Sequence, residues 1–406
     1  MKPLRVLYLH MIGPFGGASR SLFEAVGAFP AGTVQPFFVT QRGSVTRFFS
    51  RLGEVVEARG MSQFDDTRYS RYRGVRWLVL LRELAYLPFT VAALAEAKRR
   101  WRRVDLIHLN EFTGLVPMLI ARKLFGAPAL VHVRSVAATD AASRRTRWVQ
   151  RTLRADARAV VAIDETVRES LPADLPVDVI HNAFSPQAAS GVDAALESRL
   201  QVLRPESFKV GFVGNLLRVK GIHELVEAAR ITRERGVDVE FLVVGDDAAP
   251  SHGLKAQIVK ALGLAQNVRA DVEAVLDRDA LRDRFHLLGF SAEIGRAYRR
   301  MDVLCFPSHY DAPGRPIFEA AFFGVPSIVA VRKPRADTLV DGVTGIAFTP
   351  GRADELADAI ERLARDRTRT AAMGQAAREM AERTFDVHAN ASALLAVYRR
   401  VCAAPA

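Results

Sequence analysis

Asp311 and Glu319 stand eight residues apart in HYDAPGRPIFEAAFFGVPS, residues 309–327. In one unbroken helix that spacing would put both carboxylates on roughly one face, an arrangement suited to paired acid–base work. Pro313 and Pro316 exclude such a helix, because proline lacks the N–H and its ring clashes with the preceding turn. The stretch reads instead as the end of a strand (DVLCFPS), a loop (YDAPGR) and a helix that Pro316 opens and Gly324 with Pro326 stops. The helix N-terminus and the amides of Gly314 and Arg315 suit an anion, and carboxylates suit paired hydroxyls. An acid, an anion site and a second acid in that order fit a phosphate flanked by two polyols. A nucleoside diphosphate sugar has that layout.

Two further loops carry compatible chemistry. In VGFVGNLLRVKGIHELVEAA a strand ends at Gly214, and Lys220-Gly221 precedes an amphipathic helix. Arg218 by a forked contact and Lys220 as a point charge could both reach a diphosphate. In HMIGPFGGASRSLFEAV, Gly13, Gly16 and Gly17 follow a strand and open a helix, which lets a ligand approach backbone amides. A dinucleotide site would also want an acid closing the second strand, but PFFVTQRG closes with Thr40 and Gln41, so NAD and FAD are disfavoured. The literal Asp-x-Asp, Asp277-Arg278-Asp279, lies in a charged stretch that reads as a solvated helix or turn. With Cys305 and Cys402 as the only cysteines, neither a metal site nor a disulfide framework is expected.

These loops need strands to carry them. RVLYLH, QPFFVTQ, DLIHLN, PALVHVRS, RAVVAID and VDVIHN are short apolar runs separated by helix-length segments. KVGFVGN, VEFLVVGDD, FHLLGF, DVLCFPS, PSIVAV and GIAFTP repeat the pattern later in the chain. Alternation of this kind implies parallel sheets with crossover helices, hence an α/β chain of two doubly wound domains. At 406 residues two domains are also the default. The expected boundaries are 1–184, a linker 185–207, and 208–385, with a helix over about 386–406 returning to the first domain. Ligands of such sheets sit at the carboxyl ends of the strands, so the cleft between the domains is the expected site.

At this point the residues resemble a known family. PSHYDAPGRPIFEAAFFGVPSIVA is similar to the signature of the retaining GT-B glycosyltransferases of glycosyltransferase family 4: an acid, seven intervening residues, a second acid, then Ala and Gly-x-Pro. FVGNLLRVKG, FLVVGD, LVDGVTGIAFTPG, VIHNAF and GGASRSL resemble other family segments in the same order. The resemblance implies a GT-B fold of two Rossmann-like domains and transfer of a sugar, with anomeric retention, from a nucleoside diphosphate sugar. It implies that Glu319 binds ribose hydroxyls and Asp311 holds hydroxyls of the donor hexose. Lys220 would hold the diphosphate, with backbone amides near Gly314, Arg315 and Ile317. His132, in ALVHVRS, would approach the transferred sugar, and Gly16 and Gly17 would allow donor and acceptor to come close. Asp311 stands where the family usually has Glu, and Asn215 where it often has a phosphate-binding Arg, a role that falls to Arg218. No cofactor and no metal are implied.

Charge distribution separates the halves. Residues 1–184 hold 27 Lys and Arg against 16 Asp and Glu, while the remainder holds 30 against 29. A basic first half fits an anionic partner. Within it, RYSRYRGVRWLVLLRELAYLPFTVAALAEAKRRWRR (68–103) is apolar in the middle and basic at both ends, but Arg82, Glu83 and Pro88 interrupt any membrane span. It reads as an interfacial helix pair on anionic lipid, or as two helices packed on the first sheet. The acceptor is expected to be a glycan or a lipid-linked hydroxyl, in cell-surface polysaccharide or glycolipid synthesis. The expected location is the cytoplasm, peripheral to the inner membrane face, because KPLRVLYLH is too short for a secretory signal. Three alternatives stand beside this. One is a glycoside hydrolase using Asp311 and Glu319. The second is a catalytically silent sugar-nucleotide binder. The third is a basic nucleic-acid-binding module, for which no stacking aromatics or motif speak.

Overall fold

The computed structural model describes residues 2–70, 72, 77, 79–186, 193–246, 267–291 and 293–403. The chain divides into two compact units, Met1–Ser185 with Phe385–Ala406, and Pro186–Thr384.

The first unit contains seven parallel strands: β1 (Leu4–His10), β2 (Val34–Gln41), β3 (Glu54–Ala58), β4 (Leu106–Leu109), β5 (Ala129–Val133), β6 (Ala159–Ala162) and β7 (Val177–Val179), in the order β3-β2-β1-β4-β5-β6-β7. Alternate residues leave the sheet on opposite faces, and both faces are covered. Leu7, Leu9, Phe37, Ile107 and Val131 enter one core, to which helix Val79–Trp101 contributes Leu94 and Trp101. Val6, Tyr8, Phe38, Leu106 and Leu130 enter the other, closed by Leu394, Leu395, Tyr398 and Val401 of the returning helix Val387–Ala403. The amide of Phe184 donates to the Phe385 carbonyl at 3.1 Å, so the chain rejoins this unit where it left it.

The second unit has six parallel strands: β8 (Phe208–Val213), β9 (Val239–Val244), β10 (Phe285–Gly289), β11 (Val303–Phe306), β12 (Ser327–Ala330) and β13 (Gly345–Phe348), in the order β10-β9-β8-β11-β12-β13. Part of the stretch read as linker is helical: in Ala194–Leu200, Leu196 and Leu200 lie four apart and pack with Leu242, Val244 and Leu304 of this unit.

Within 68–103, read as a helix pair interrupted near Pro88, Val79–Trp101 is one helix that runs through Pro88, while residues 71, 73–76 and 78 lie outside the described residues. The carbonyl that proline leaves without an intrahelical donor belongs to Leu84, and both residues are on the exposed side, where water can serve it. That side is apolar: Leu81, Leu84, Phe89 and Val91 are 62%, 56%, 41% and 42% exposed. Among the described residues no helix is long and apolar enough to cross a membrane.

Leu394 is 1% exposed in the core beneath the returning helix. Leu394→Ala should cost about 2–5 kcal/mol through lost burial and the cavity left behind. Trp77, Trp101 and Trp148 all lie in the first unit, so tryptophan fluorescence in a urea titration reads its unfolding separately. The expected result is a lower midpoint in that signal.

Candidate functional site

In the second unit the loops leaving β8, β9 and β11 press together. A Cβ at Gly245 would lie 1.9 Å from the Gly214 carbonyl oxygen, and one at Gly221, whose φ is +76°, would lie 2.0 Å from that of Pro307. These glycines therefore set how closely the loops approach. The amide of His309 donates to the Val219 carbonyl at 2.9 Å, fastening the Lys220 loop to the one carrying the acids. Lys220 Nζ stands 5.3 Å from the ring centre of Phe306 and 5.2 Å from that of Tyr310. Burial lowers the pKa of its ammonium from the ordinary lysine value. The Phe306 ring also backs Gly314, where a Cβ would lie 2.3 Å from it, so Lys220 and the start of helix Arg315–Ala321 share one wall.

Both acids are held by arginine. Glu319 is 4% exposed; its Oε1 accepts from Arg315 Nε at 2.5 Å and its Oε2 from the Tyr298 hydroxyl at 2.9 Å. Arg315 lies one turn earlier on the same helix, and Tyr298 comes from helix Ile294–Tyr298. Asp311 has a φ of +51°, a left-handed conformation that Asp tolerates better than most side chains. Its Oδ1 accepts from the Arg332 amide at 2.8 Å and its Oδ2 from Arg332 Nη1 at 3.0 Å. Of the remaining residues expected here, Asn215 is exposed, and Arg218 is paired at 2.6 Å with Asp271 on the surface. The Ile317 amide donates to the Gly314 carbonyl at 3.1 Å, within the helix start. Asp277 and Asp279 are bonded at 2.6 and 2.7 Å to Arg282 and Arg278, as in a solvated surface. Among the described residues no cluster of three metal-ligating side chains occurs.

In the first unit the carboxyl ends of β1, β4, β5 and β7 meet in a network around Arg134. A guanidinium only donates, which orients everything it touches. Nε donates to Asn110 Oδ1 at 2.7 Å, Nη1 to Asn182 Oδ1 at 2.6 Å, and Nη2 to His132 Nδ1 at 3.3 Å. Asn110 then turns its amide to His10 Nδ1 at 3.0 Å, and His10 Nε2–H reaches Ser19 Oγ at 2.9 Å. The chain of donors thus runs from Arg134 to the glycine loop. His132, 4% exposed, must carry its proton on Nε2, an atom with no hydrogen-bond partner among the described residues. Burial, with Arg134 and His108 adding to it, holds the His132 pKa well below the usual imidazole range, so the ring is neutral. His10 is lowered to about 3 by burial and by Arg134. Beyond the adjoining backbone nothing lies within 4 Å of a Cβ built at Gly16 or Gly17, so tertiary packing does not demand glycine at either position. A groove of about 1130 Å³ lined by Leu4, Asp105 and Ala129 opens at the opposite, amino ends of β1, β4 and β5 and is not this site.

Several participants went unread in the sequence. Arg134 follows His132 by two residues and so shares its side of the extended chain, a signal available in HVRS. Asn110 and Glu111 close DLIHLNE at a strand end, and Asn182 lies in VIHNAF, a segment read only for its resemblance to the family and not for a partner of Arg134. Tyr298 and Arg332 are far in sequence from the acids they hold, and no local pattern marks them.

Residues 197–380 match the family described as Glycosyl transferases group 1, and residues 15–188 match Glycosyltransferase Family 4. The 2-deoxystreptamine glucosyltransferase of Streptomyces kanamyceticus is 28% identical over 339 residues, covering 78% of this chain and 82% of the relative. The D-inositol 3-phosphate glycosyltransferase of Kribbella flavida is 26% identical, covering 75% and 73%. Among solved structures, HepE of Anabaena in complex with UDP and glucose has a TM-score of 0.74 at 22% identity, covering 98% of this chain and 99% of that one.

Glu111 gives this site a measurable pH signature. Its carboxylate accepts from the Ser135 hydroxyl at 2.7 Å and the Phe112 amide at 2.9 Å, and burial pushes its pKa up to about 7. The folded state therefore keeps a proton that the unfolded chain has released. The stability this contributes is complete below about pH 4.5 and is lost as pH rises through about 7. Relative to Glu111→Gln, the wild type should lose stability across that window and not above it, read as urea midpoints by tryptophan fluorescence. Parallel curves would contradict the assignment.

Proposed function

The chain belongs to the group 1 glycosyltransferases of family 4, sugar-nucleotide-dependent enzymes of the GT-B fold, and on that premise we propose that it transfers a hexose with retention at the anomeric carbon and without a metal ion. The observation that carries the donor assignment is the shared wall of the second unit, where half-buried Lys220 and the start of the helix that carries buried Glu319 both meet the Phe306 ring. Lys220 neutralises the diphosphate as charge gathers on the leaving group. Glu319, aimed by Arg315 and Tyr298, accepts from the ribose diol. Asp311 serves the hexose. Since His132 is neutral and carries its proton on Nε2, its part is to donate that hydrogen to a hydroxyl of the transferred sugar, and it is not a general acid. The leaving phosphate then takes the acceptor proton in a front-face displacement. Uracil is the base favoured, because HepE is similar to this chain and its structure holds UDP and glucose.

Nucleoside diphosphate binding tests this directly. UDP, GDP and ADP are titrated calorimetrically into the wild type, Lys220→Ala and Glu319→Gln. UDP should bind the wild type, and each variant should bind it about tenfold or more weakly, the scale of one lost charge-assisted hydrogen bond. Hydrolysis of an aryl glycoside without nucleotide would favour the glycosidase reading instead.

For the acceptor we propose a lipid-linked or nascent glycan at an anionic membrane surface, in cell-surface polysaccharide or glycolipid synthesis on the cytoplasmic side. Support comes from helix Val79–Trp101, whose exposed Leu81, Leu84, Phe89 and Val91 lead into Lys98, Arg99 and Arg100 in its last turn. A second reading, a small cyclitol, is favoured by relatives named for 2-deoxystreptamine and D-inositol 3-phosphate. Flotation with anionic liposomes separates them. The wild type should float, and a variant neutralised at Arg99, Arg100, Arg102 and Arg103 should lose most of that binding. Equal recovery of both would remove the membrane role of this cluster.

A further inference from the structure

Asp311 is placed by the reading above at the sugar end of the donor, yet the structure commits its carboxylate to Arg332. Both oxygens accept from that one residue, at 2.8 Å from the amide and 3.0 Å from Nη1. The side chains differ sharply in access. That of Asp311 is 10% exposed and that of Arg332 is 58% exposed, so the solvent-facing group of this pair is the guanidinium. The geometry is defined at both ends. Asp311 sits in the left-handed region with φ +51°, which turns its short arm toward the residue two past the end of β12. Arg332 is held there by its own backbone N–H as well as by its side chain, so its position does not depend on a flexible stem alone.

We infer that Arg332 is a specificity-determining residue for the donor sugar. Its guanidinium donates to hydroxyl oxygens of a neutral hexose and, by neutralising Asp311, disfavours donors whose sugar carries an amino group. The chemistry is that of a coupled donor and acceptor. A sugar hydroxyl both gives and takes a hydrogen bond, and an Asp–Arg pair offers the complementary couple at no net charge. An unpaired carboxylate at this place would attract an ammonium group strongly at a half-buried site, and the arginine removes that attraction. This also gives Asp311 a reason to be short: the carboxylate has to meet the Arg332 amide as well as its side chain.

The inference rests on the donor reading, and the experiment separates the two. Calorimetry compares the best-bound free diphosphate among UDP, GDP and ADP with the glucose and glucosamine conjugates of the same base, for the wild type, Arg332→Gln and Arg332→Lys. Arg332→Gln should weaken the glucose conjugate about tenfold or more while changing the free diphosphate by less than about twofold. It should also raise glucosamine binding relative to glucose by about tenfold, and Arg332→Lys, which keeps the charge, should restore most of that discrimination. Arg332 is exposed, so circular dichroism should find both variants folded. Equal weakening of free diphosphate and conjugates would show a role in shaping the loop and overturn the inference, as would an unchanged glucose-to-glucosamine ratio. Failure of all three diphosphates to bind the wild type would remove the donor reading, and the inference with it.

Discussion

A guanidinium cannot accept a hydrogen bond, and the first unit's polar interior is organised by that single fact. Arg134 sits where four strands end and gives its N–H groups to Asn110, Asn182 and His132. Each recipient is an amide or imidazole that could otherwise turn either way, so the arginine settles their orientation at once. The order continues through His10 to Ser19, which in turn donates to the Pro14 carbonyl at 3.3 Å beside the glycine loop. Its positive charge also disfavours protonation of both imidazoles, working with burial to keep them neutral.

The second unit applies the mirror-image constraint. Carboxylates only accept, and each of the two acids is met by donors that fix its plane. Glu319 is gripped by one arginine on its own helix and one tyrosine from another. Asp311 is gripped by the backbone and side chain of a single arginine. A buried carboxylate without such donors would shift toward its neutral form and lose its value as an acceptor. Lys220 adds a cation whose surroundings are two aromatic faces, an environment that strengthens its attraction for a phosphate relative to water.

The returning helix ties fold to chemistry in the first unit. Tyr398 completes the core under β1 and β4, and its hydroxyl contacts His108 Nδ1 at 2.5 Å. The rings of His108 and His132 have centres 5.4 Å apart, so a helix near the end of the chain packs against the layer that supports the strand-end network. Stability and site geometry are therefore not separable in this unit.

Local sequence determined the parallel sheets, the loops at their carboxyl ends and the residues Lys220, Asp311 and Glu319 as chemically notable, and the family resemblance added His132. Alternation, glycine turns and proline positions are short-range properties, readable within about twenty residues. It also implied the family, because several such segments recur in one order. It did not determine which groups those residues hold. Arg332 is 21 residues from Asp311 and Asn182 is 48 from Arg134, and only the packing of parallel strands brings them together. The helix through Pro88 depends on packing in the same way: proline costs it one intrahelical hydrogen bond, and Val79–Trp101 accommodates the loss with Leu84 and Pro88 on its exposed side. Which donors hold each acid, which imidazole nitrogen bears the proton and which face of a helix is exposed are settled by distant neighbours, since burial and hydrogen-bond partners are properties of the packed chain.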